Sequence, residues 1–269
     1  MYDFELKTPT SLADAVSALQ GEDAQALGGG QTLLPTMKAR LAQTEVLVSL
    51  AHVDEIKGVC TDDQGRLCIG GGTTHGAVAR ELADGYPALA SLAARIGDPA
   101  VRSRGTIGGS LANDDPSACW PAGALGSGAT IVATGSDGQR EIAADDFFQG
   151  MFTTALEEGE IVTEVRFPVP EAAAYEKFIQ PASRFPLVAA FVARFADGVR
   201  VAITGASSDG VFRWTEAEEA LASDFSAAAL DPVATPDAGG MISDLHGDGA
   251  YRAHLCKVMT RRAVQAAAG

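Results

Sequence analysis

The sequence predicts an α+β fold in two parts, and three features of the chain support this prediction. The first fifty residues alternate between short apolar strands and helices, which is typical of a small βαβαβ unit. The last hundred residues contain candidate antiparallel strands, two of them joined by the hairpin signal Asp197-Gly198. Between the two parts, Pro168 and Pro170 interrupt the strand pattern and mark the predicted boundary.

The N-terminal part begins with a helix whose start and end are both signalled in the sequence. Ser11 and Asp14 form a capping box, apolar residues then recur at helical spacing, and Gly21 ends the helix. The elements predicted after this helix are strands at 24–27 and 46–50 and an intervening helix at 33–41.

The remaining elements follow from the same patterns of apolar spacing and turn residues. In the centre of the chain we predict strands at 66–69, 130–134 and 160–167, and helices at 75–83 and 87–96. We predict that residues 97–128 form mostly loop. In the C-terminal part we predict strands at 175–179, 187–195 and 199–205, and helices at 215–222 and 251–268.

The overall composition excludes several classes of function. The chain has 269 residues, 46% of them hydrophobic, with 35 acidic and 20 basic residues and a net charge of −15. A chain this acidic is poorly suited to binding nucleic acid or an anionic membrane over a broad surface. The apolar stretches are too short for an integral membrane segment, and the N-terminus lacks the features of a signal peptide. We therefore expect a cytoplasmic protein.

The cysteines and histidines give no metal-binding pattern. Four cysteines and four histidines are scattered along the chain, and no Cys-x-x-Cys motif occurs. An iron–sulfur cluster or structural zinc site made by this chain alone is therefore not predicted.

Glycine is the unusual feature of the composition, with 30 of 269 residues, or about 11% against a typical ~7%. The glycines cluster at 28–30, 70–72 and 108–109, each at a predicted strand-to-loop transition, and a hydroxyl residue follows within two positions. Glycine lets a ligand approach the backbone, so successive amides can point at an anion, and a following helix adds partial positive charge. Neither a P-loop nor a Rossmann spacing is present. Two such loops facing each other predict a dinucleotide-binding site that is neither a P-loop nor a Rossmann site.

The residues around these clusters resemble a known family. Residues 28–35, Gly-Gly-Gly-Gln-Thr-Leu-Leu-Pro, resemble the first flavin motif of the medium subunits of molybdenum hydroxylases. Residues 106–112, continuing to Asp115-Pro116, resemble the second motif, and Ile69 to His75 match a segment between them. Residues 181–183 and the C-terminal segment from Tyr251 are similar to the carbon monoxide dehydrogenase branch. The two flavin motifs together are specific, whereas either alone is not.

This resemblance implies a fold and a function. The fold implied is a two-part FAD-binding domain of the vanillyl-alcohol-oxidase-like (PCMH) type at 1–168, with sub-parts of about 1–55 and 56–168. A C-terminal α+β domain with a small antiparallel sheet follows at 169–269. The function implied is an oxidoreductase subunit that takes electrons from [2Fe–2S] clusters and passes them from FAD to an external acceptor. The partners implied are a large molybdopterin subunit and a small [2Fe–2S] subunit, together a dimer of heterotrimers.

The resemblance also implies which residues bind the cofactor. Backbone amides of both loops would hold the FAD diphosphate, with help from the two threonine hydroxyls, while Leu33 packs at the start of the next helix. Lys177 matches a family lysine whose charge near the flavin would favour the reduced form. The predicted cofactor-binding residues are Gly28, Gly29, Gly30, Gln31, Thr32, Leu33, Thr106, Ile107, Gly108, Gly109, Ser110, Asp115 and Lys177. No catalytic acid or base is predicted in this chain.

Some residues depart from the family pattern. Gln31 and Ser110 replace the usual His and Asn, although both can form hydrogen bonds. Cys119 stands where relatives commonly have an Asp that binds the ribose, and a thiol is a poor acceptor. Trp120 beside it would either stack on the adenine or pack in the core.

Two other functions are compatible with the same residues. One is a stand-alone FAD-dependent oxidase or reductase, and the other is a non-enzymatic module that has lost FAD. The colour of the purified chain and its activity without partners distinguish these functions.

Overall fold

The computed structural model describes residues Met1–Gly269. The chain begins with a three-stranded parallel sheet in the order β1-β3-β2, whose strands are connected by two helices. These elements are β1 Glu5–Lys7, α1 Leu12–Leu19, β2 Ala24–Leu27, α2 Leu33–Lys38 and β3 Val46–Ser49. The predicted βαβαβ unit is therefore confirmed.

The ends of the two helices follow from local capping. The Ser11 hydroxyl accepts a hydrogen bond from the Asp14 amide at 3.1 Å, as the capping box predicts. Helix α2 ends at Lys38, three residues before the predicted end, because Arg40 adopts a left-handed conformation with φ of +60°.

A five-stranded antiparallel sheet forms the centre of the molecule, in the order β4-β5-β10-β6-β7. Its strands are β4 Val59–Thr61, β5 Leu67–Gly70, β6 Thr130–Gly135, β7 Gly138–Ala143 and β10 Ile161–Phe167. A two-stranded ribbon, β8 Phe148–Gly150 and β9 Thr153–Thr154, lies between β7 and β10 in the chain. The sequence patterns missed β4, β7, β8 and β9, which are short or rich in polar residues.

Six helices connect the strands of this sheet. They are α3 His75–Glu81, α4 Pro87–Ala94, α5 Pro99–Arg102, α6 Ile107–Asn113, α7 Trp120–Ser127 and α8 Ala144–Phe147. The prediction of mostly loop at 97–128 is therefore wrong. Side chains of Asp98 and Thr106 cap α5 and α6, and all eight residues of α7 are buried. Tertiary packing thus stabilises a glycine-containing helix that local propensity disfavours.

The C-terminal part contains an antiparallel sheet in the order β11-β12-β13-β14. Its elements are β11 Ala172–Ile179, β12 Pro186–Phe195, β13 Gly198–Ser207, β14 Gly210–Arg213, α9 Thr215–Ser223 and α10 Gly249–Ala268. The predicted strands and helices are confirmed, including the hairpin at Asp197-Gly198. The chain therefore has the expected mixture of helices with antiparallel sheets. No helix combines the length and apolar character that crossing a bilayer requires.

The two parts of the chain share one hydrophobic core. Tyr175 and Phe191 of the C-terminal sheet belong to the same buried cluster as Trp120 of α7. A second cluster lies between the C-terminal sheet and the helices α9 and α10. The predicted domain boundary at residue 168 stays a prediction, and the shared core connects the parts on either side of it.

Arg252 of α10 holds this helix against the C-terminal sheet. Its side chain is 1% exposed and donates to the carbonyl oxygens of Leu187 at 2.8 Å and Gly205 at 2.7 Å. It also forms a 2.8 Å ion pair with Asp244. A buried guanidinium without these acceptors would cost several kcal/mol, so the three contacts must form together.

We expect Arg252→Met to lower the free energy of unfolding by about 3 kcal/mol, because two buried carbonyl groups lose their donor. Chemical denaturation of the two proteins measures this difference. The matched control is Arg261→Met on the same helix, where the ion pair with Asp231 is half exposed. Its effect should stay within about 0.5 kcal/mol. Equal effects of the two substitutions would contradict the role of Arg252.

Candidate functional site

The first glycine loop (residues 28–33) and the second glycine loop (residues 104–110) meet at a contact that only glycine allows. A Cβ atom at Gly29 would lie 2.0 Å from the carbonyl oxygen of Arg104, and one at Gly28 would lie 3.0 Å from Thr106 Oγ1. Contacts below 3.0 Å to a backbone atom cannot be relieved by moving a side chain. The two loops, about 75 residues apart in sequence, therefore lie side by side.

The remaining glycine cluster, residues 70–72 (the third cluster), packs against the second loop on the side of the central sheet. The Gly108 amide donates to the Gly71 carbonyl at 2.8 Å, and a Cβ at Gly108 would approach that same oxygen to 2.7 Å. The Ile107 amide donates to the Thr73 carbonyl at 3.2 Å. These bonds fix the start of α6 against the end of β5.

Only the first loop offers a run of free amides. None of the backbone amides of residues 28–33 donates a hydrogen bond to another group of the chain, and Gly30 has a left-handed φ of +68°. The amides of Gly70, Gly71 and Gly72 all donate to backbone carbonyls. The first loop therefore has the donors that an anion such as a diphosphate requires, whereas the third has a structural role.

Most amides of the second loop are already used. Those of Ile107 and Gly108 bond to the third cluster, Gly109 donates to Thr106 Oγ1 at 3.1 Å, and Ser110 donates to the Thr106 carbonyl. Among residues 106–110, only the Thr106 amide has no acceptor. The second loop thus contributes mainly a closely packed surface and the N-terminal end of α6, whose dipole favours negative charge.

Unpaired polar groups surround the contact between the two loops. Thr32 and Ser110 have hydroxyl groups that form no hydrogen bond within the chain, and Gln31 bonds only to its neighbour Gly29. Arg104 is exposed and has no ion-pair partner, although the chain is strongly acidic overall. These groups can add hydrogen bonds and positive charge to a bound anion.

Asp114 is a buried carboxyl group at the end of α6. It has a left-handed φ of +41° and is 1% exposed, and neither of its carboxylate oxygens has a hydrogen-bond partner. Burial raises the pKa of Asp114 to about 7, and the neighbouring charge of Asp115 adds to the increase. Asp115 itself is half buried, and its Oδ1 accepts a hydrogen bond from the Ser117 amide at 2.8 Å.

Lys177 lies buried between two helices. Its Nζ donates to the Arg95 carbonyl at 2.9 Å and contacts Cys119 Sγ at 3.5 Å. Burial lowers the pKa of Lys177 from its ordinary value, and contact with Cys119 opposes this effect. The hydroxyl of Tyr175, two residues earlier on β11, is buried without a hydrogen-bond partner. Lys177 therefore has a buried ammonium group, and the chain supplies only part of the hydrogen bonds that this group can form.

Trp120 and His75 connect the surroundings of Lys177 to the second glycine loop. Trp120 is fully buried and its Nε1 donates to His75 Nδ1 at 3.1 Å, so the structure favours core packing over stacking on adenine. The His75 amide donates to the Gly105 carbonyl of the second loop at 2.9 Å. Burial lowers the pKa of His75 to about 4, which keeps its ring neutral. The sequence patterns assign His75 no separate role, because its hydrogen-bond partner Trp120 is 45 residues away.

Comparisons with known proteins agree with this geometry. Residues 2–170 match the family described as "FAD binding domain in molybdopterin dehydrogenase". The chain is 35% identical to the carbon monoxide dehydrogenase medium chain of Afipia carboxidovorans, over 98% of this chain and 96% of that protein. It is 33% identical to the nicotine 6-hydroxylase medium subunit of Paenarthrobacter nicotinovorans, over 96% and 94% of the two chains.

Solved structures show the same similarity. A chain of reconstituted CO dehydrogenase from Oligotropha carboxidovorans superposes with a TM-score of 0.91 and 34% identity, covering 99% of this chain and 98% of that one. A chain of quinoline 2-oxidoreductase from Pseudomonas putida 86 superposes with a TM-score of 0.88 and 29% identity, covering 99% and 97%. The similarity therefore extends over the full fold.

We expect Asp114→Asn to stabilise the FAD-free protein above pH 7 by about 2–4 kcal/mol. The carboxyl pKa is raised in the folded state, so the unfolded chain ionises first as pH increases. The original protein should therefore lose stability relative to the variant between about pH 4 and pH 7, and no further above that range. Denaturation curves at several pH values measure the difference. Asp63→Asn, at an exposed position, is the control, and an equal pH dependence there would contradict the explanation.

Proposed function

The chain belongs to the family of FAD-binding domains of molybdopterin dehydrogenases, and we propose that it is the electron-transferring FAD subunit of a molybdenum hydroxylase complex. The observation that carries this proposal is the run of free amides at residues 28–33 beside the second loop. The relatives named above are medium chains or subunits of oxidoreductases, and this chain spans nearly their whole length.

The residues present fit the diphosphate of FAD. The amides of residues 28–33 supply consecutive donors, and the Thr32 hydroxyl and the Thr106 amide supply two more. Arg104 belongs to the segment that contacts the first loop, and its exposed side chain would add a positive charge near it. A diphosphate bound here would receive the hydrogen bonds that the chain itself leaves unmade.

Asp115 and Lys177 are the two proposed cofactor residues that lie outside the two glycine loops. Asp115 has a second carboxylate oxygen, Oδ2, that accepts no hydrogen bond within the chain and could accept one from a sugar hydroxyl. Lys177 lies on β11 of the C-terminal sheet. Its buried positive charge would favour the negatively charged, reduced cofactor.

Bound FAD would supply the redox chemistry, accepting electrons from one centre and delivering them to another. The chain's own residues position the cofactor and set the surrounding charge. His75 is neutral and bonded to Trp120, and Lys177 contacts only a carbonyl and a thiol, so neither is arranged as a general acid or base for a substrate. This arrangement supports a subunit that transfers electrons and has no substrate site of its own.

We propose that the partners are a large molybdopterin subunit and a small subunit with two [2Fe–2S] clusters, in a dimer of heterotrimers. The names of the relatives support a multi-subunit complex, since they are medium chains of dehydrogenases and hydroxylases. All four cysteines are free thiols, which suits a reducing compartment such as the cytoplasm.

The purified chain is expected to be yellow and to contain about one FAD per polypeptide, measured by absorbance after the cofactor is released.

Gly29→Ala should reduce the affinity for FAD about tenfold or more, because the new Cβ forces the first loop away from Arg104. Thr32→Val removes an unpaired hydroxyl without this clash and should weaken binding about fivefold, equivalent to ~1 kcal/mol.

The matched control is Gly85→Ala, since a Cβ at Gly85 meets nothing within 4 Å. It should bind FAD like the original protein. If the chain is colourless and does not bind added FAD, the proposal is wrong. Substrate turnover by the chain without partners would instead indicate a stand-alone flavin enzyme.

A further inference from the structure

Three potential metal ligands lie together on the central sheet, on strands that do not include the first glycine loop. Cys60 of β4 pairs directly with Cys68 of β5, so their side chains share one face of the sheet. On the next strand, β10, Arg166 pairs with Cys68 and Glu164 lies two residues earlier on the same face. The fold thus brings together two thiols and a carboxylate that the sequence separates by as much as 104 positions.

The distances between these groups suit a small cation. The two Sγ atoms and a carboxylate oxygen of Glu164 all lie within 4.8 Å of one another. Zinc–sulfur bonds of about 2.3 Å at tetrahedral angles place two sulfur atoms roughly 3.8 Å apart. Cys60 is exposed at the edge of the sheet, so a change of its rotamer can close the remaining gap. Cys68 is 3% exposed and provides a fixed ligand.

Arg166 supports such a site in two ways. Its Nε donates to Glu164 Oε1, which orients the carboxylate and leaves the other oxygen without a hydrogen bond. A second ion pair, with Glu141 of β7, holds the guanidinium itself in place. Two thiolates and one carboxylate around a divalent cation carry a net charge of −1, and Arg166 offsets part of it while it also pairs with Glu141.

We propose that Cys60, Cys68 and Glu164 bind a thiophilic divalent cation with the chemistry of Zn²⁺. Two sulfur atoms and one oxygen atom supply three positions of a tetrahedron, and water supplies the fourth. Binding releases the two thiol protons to solvent and changes no oxidation state. The cation would connect three adjacent strands and fix the edge strand β4 to the sheet.

The test uses the full-length chain with its bound cofactor, after reduction of its thiols. We expect it to bind one Zn²⁺ in competition with a chromophoric chelator, and Co²⁺ in its place to give a thiolate-to-metal charge-transfer band. Cys60→Ser should lower the affinity for Zn²⁺ about 100-fold, and Glu164→Gln about tenfold. Because Cys60 is exposed, its replacement should not prevent folding. Zn²⁺ should also raise the melting temperature of the original chain but not that of Cys60→Ser.

Cys256→Ser is the matched control, because Cys256 is buried on α10 in a different core cluster. It should bind Zn²⁺ like the original chain. The proposal is overturned if the reduced chain gives no charge-transfer band with Co²⁺. It is equally overturned if Cys60→Ser binds Zn²⁺ as tightly as the original chain. Bound FAD should be unchanged in Cys60→Ser, so this test does not depend on the flavin site.

Discussion

The close approach of Gly29 to the Arg104 carbonyl is the constraint on which the candidate site depends. A side chain at this position would overlap the backbone of the second loop, so the two loops can lie side by side only if glycine is present. The first loop then follows the second without forming hydrogen bonds to it, and its amides stay free at residues 28–33. A packing requirement at one glycine thus leaves a run of donors for an anion.

The three glycine clusters have different roles despite their similar composition. The first provides donors, the second provides a packed surface and the start of α6, and the third fixes the second to the central sheet. Behind them, the buried pair of Trp120 and His75 connects the second loop to α7, and Cys119 extends this connection to Lys177. The site and the C-terminal sheet therefore share one continuous region of buried contacts, which makes a rigid frame for a cofactor.

Much of this arrangement could be predicted from the sequence, because the relevant patterns are local. The capping residue Ser11 and the hairpin at Asp197-Gly198 act within a few residues. The two flavin motifs are identified by their resemblance to a known family. The helix α7 could not be predicted, since its stability comes from burial of all eight residues by distant parts of the chain. Composition also could not show which glycine cluster has free amides. That property depends on partners such as Thr73 and Gly71, which only the tertiary structure brings close.

The assignment of the FAD diphosphate to the amides of residues 28–33 is tested most directly by a crystal structure of the chain with FAD bound. This assignment predicts diphosphate oxygens within about 3.2 Å of several of these amide nitrogens, next to the contact between the two loops. A diphosphate bound elsewhere, with these amides still facing solvent, would contradict it.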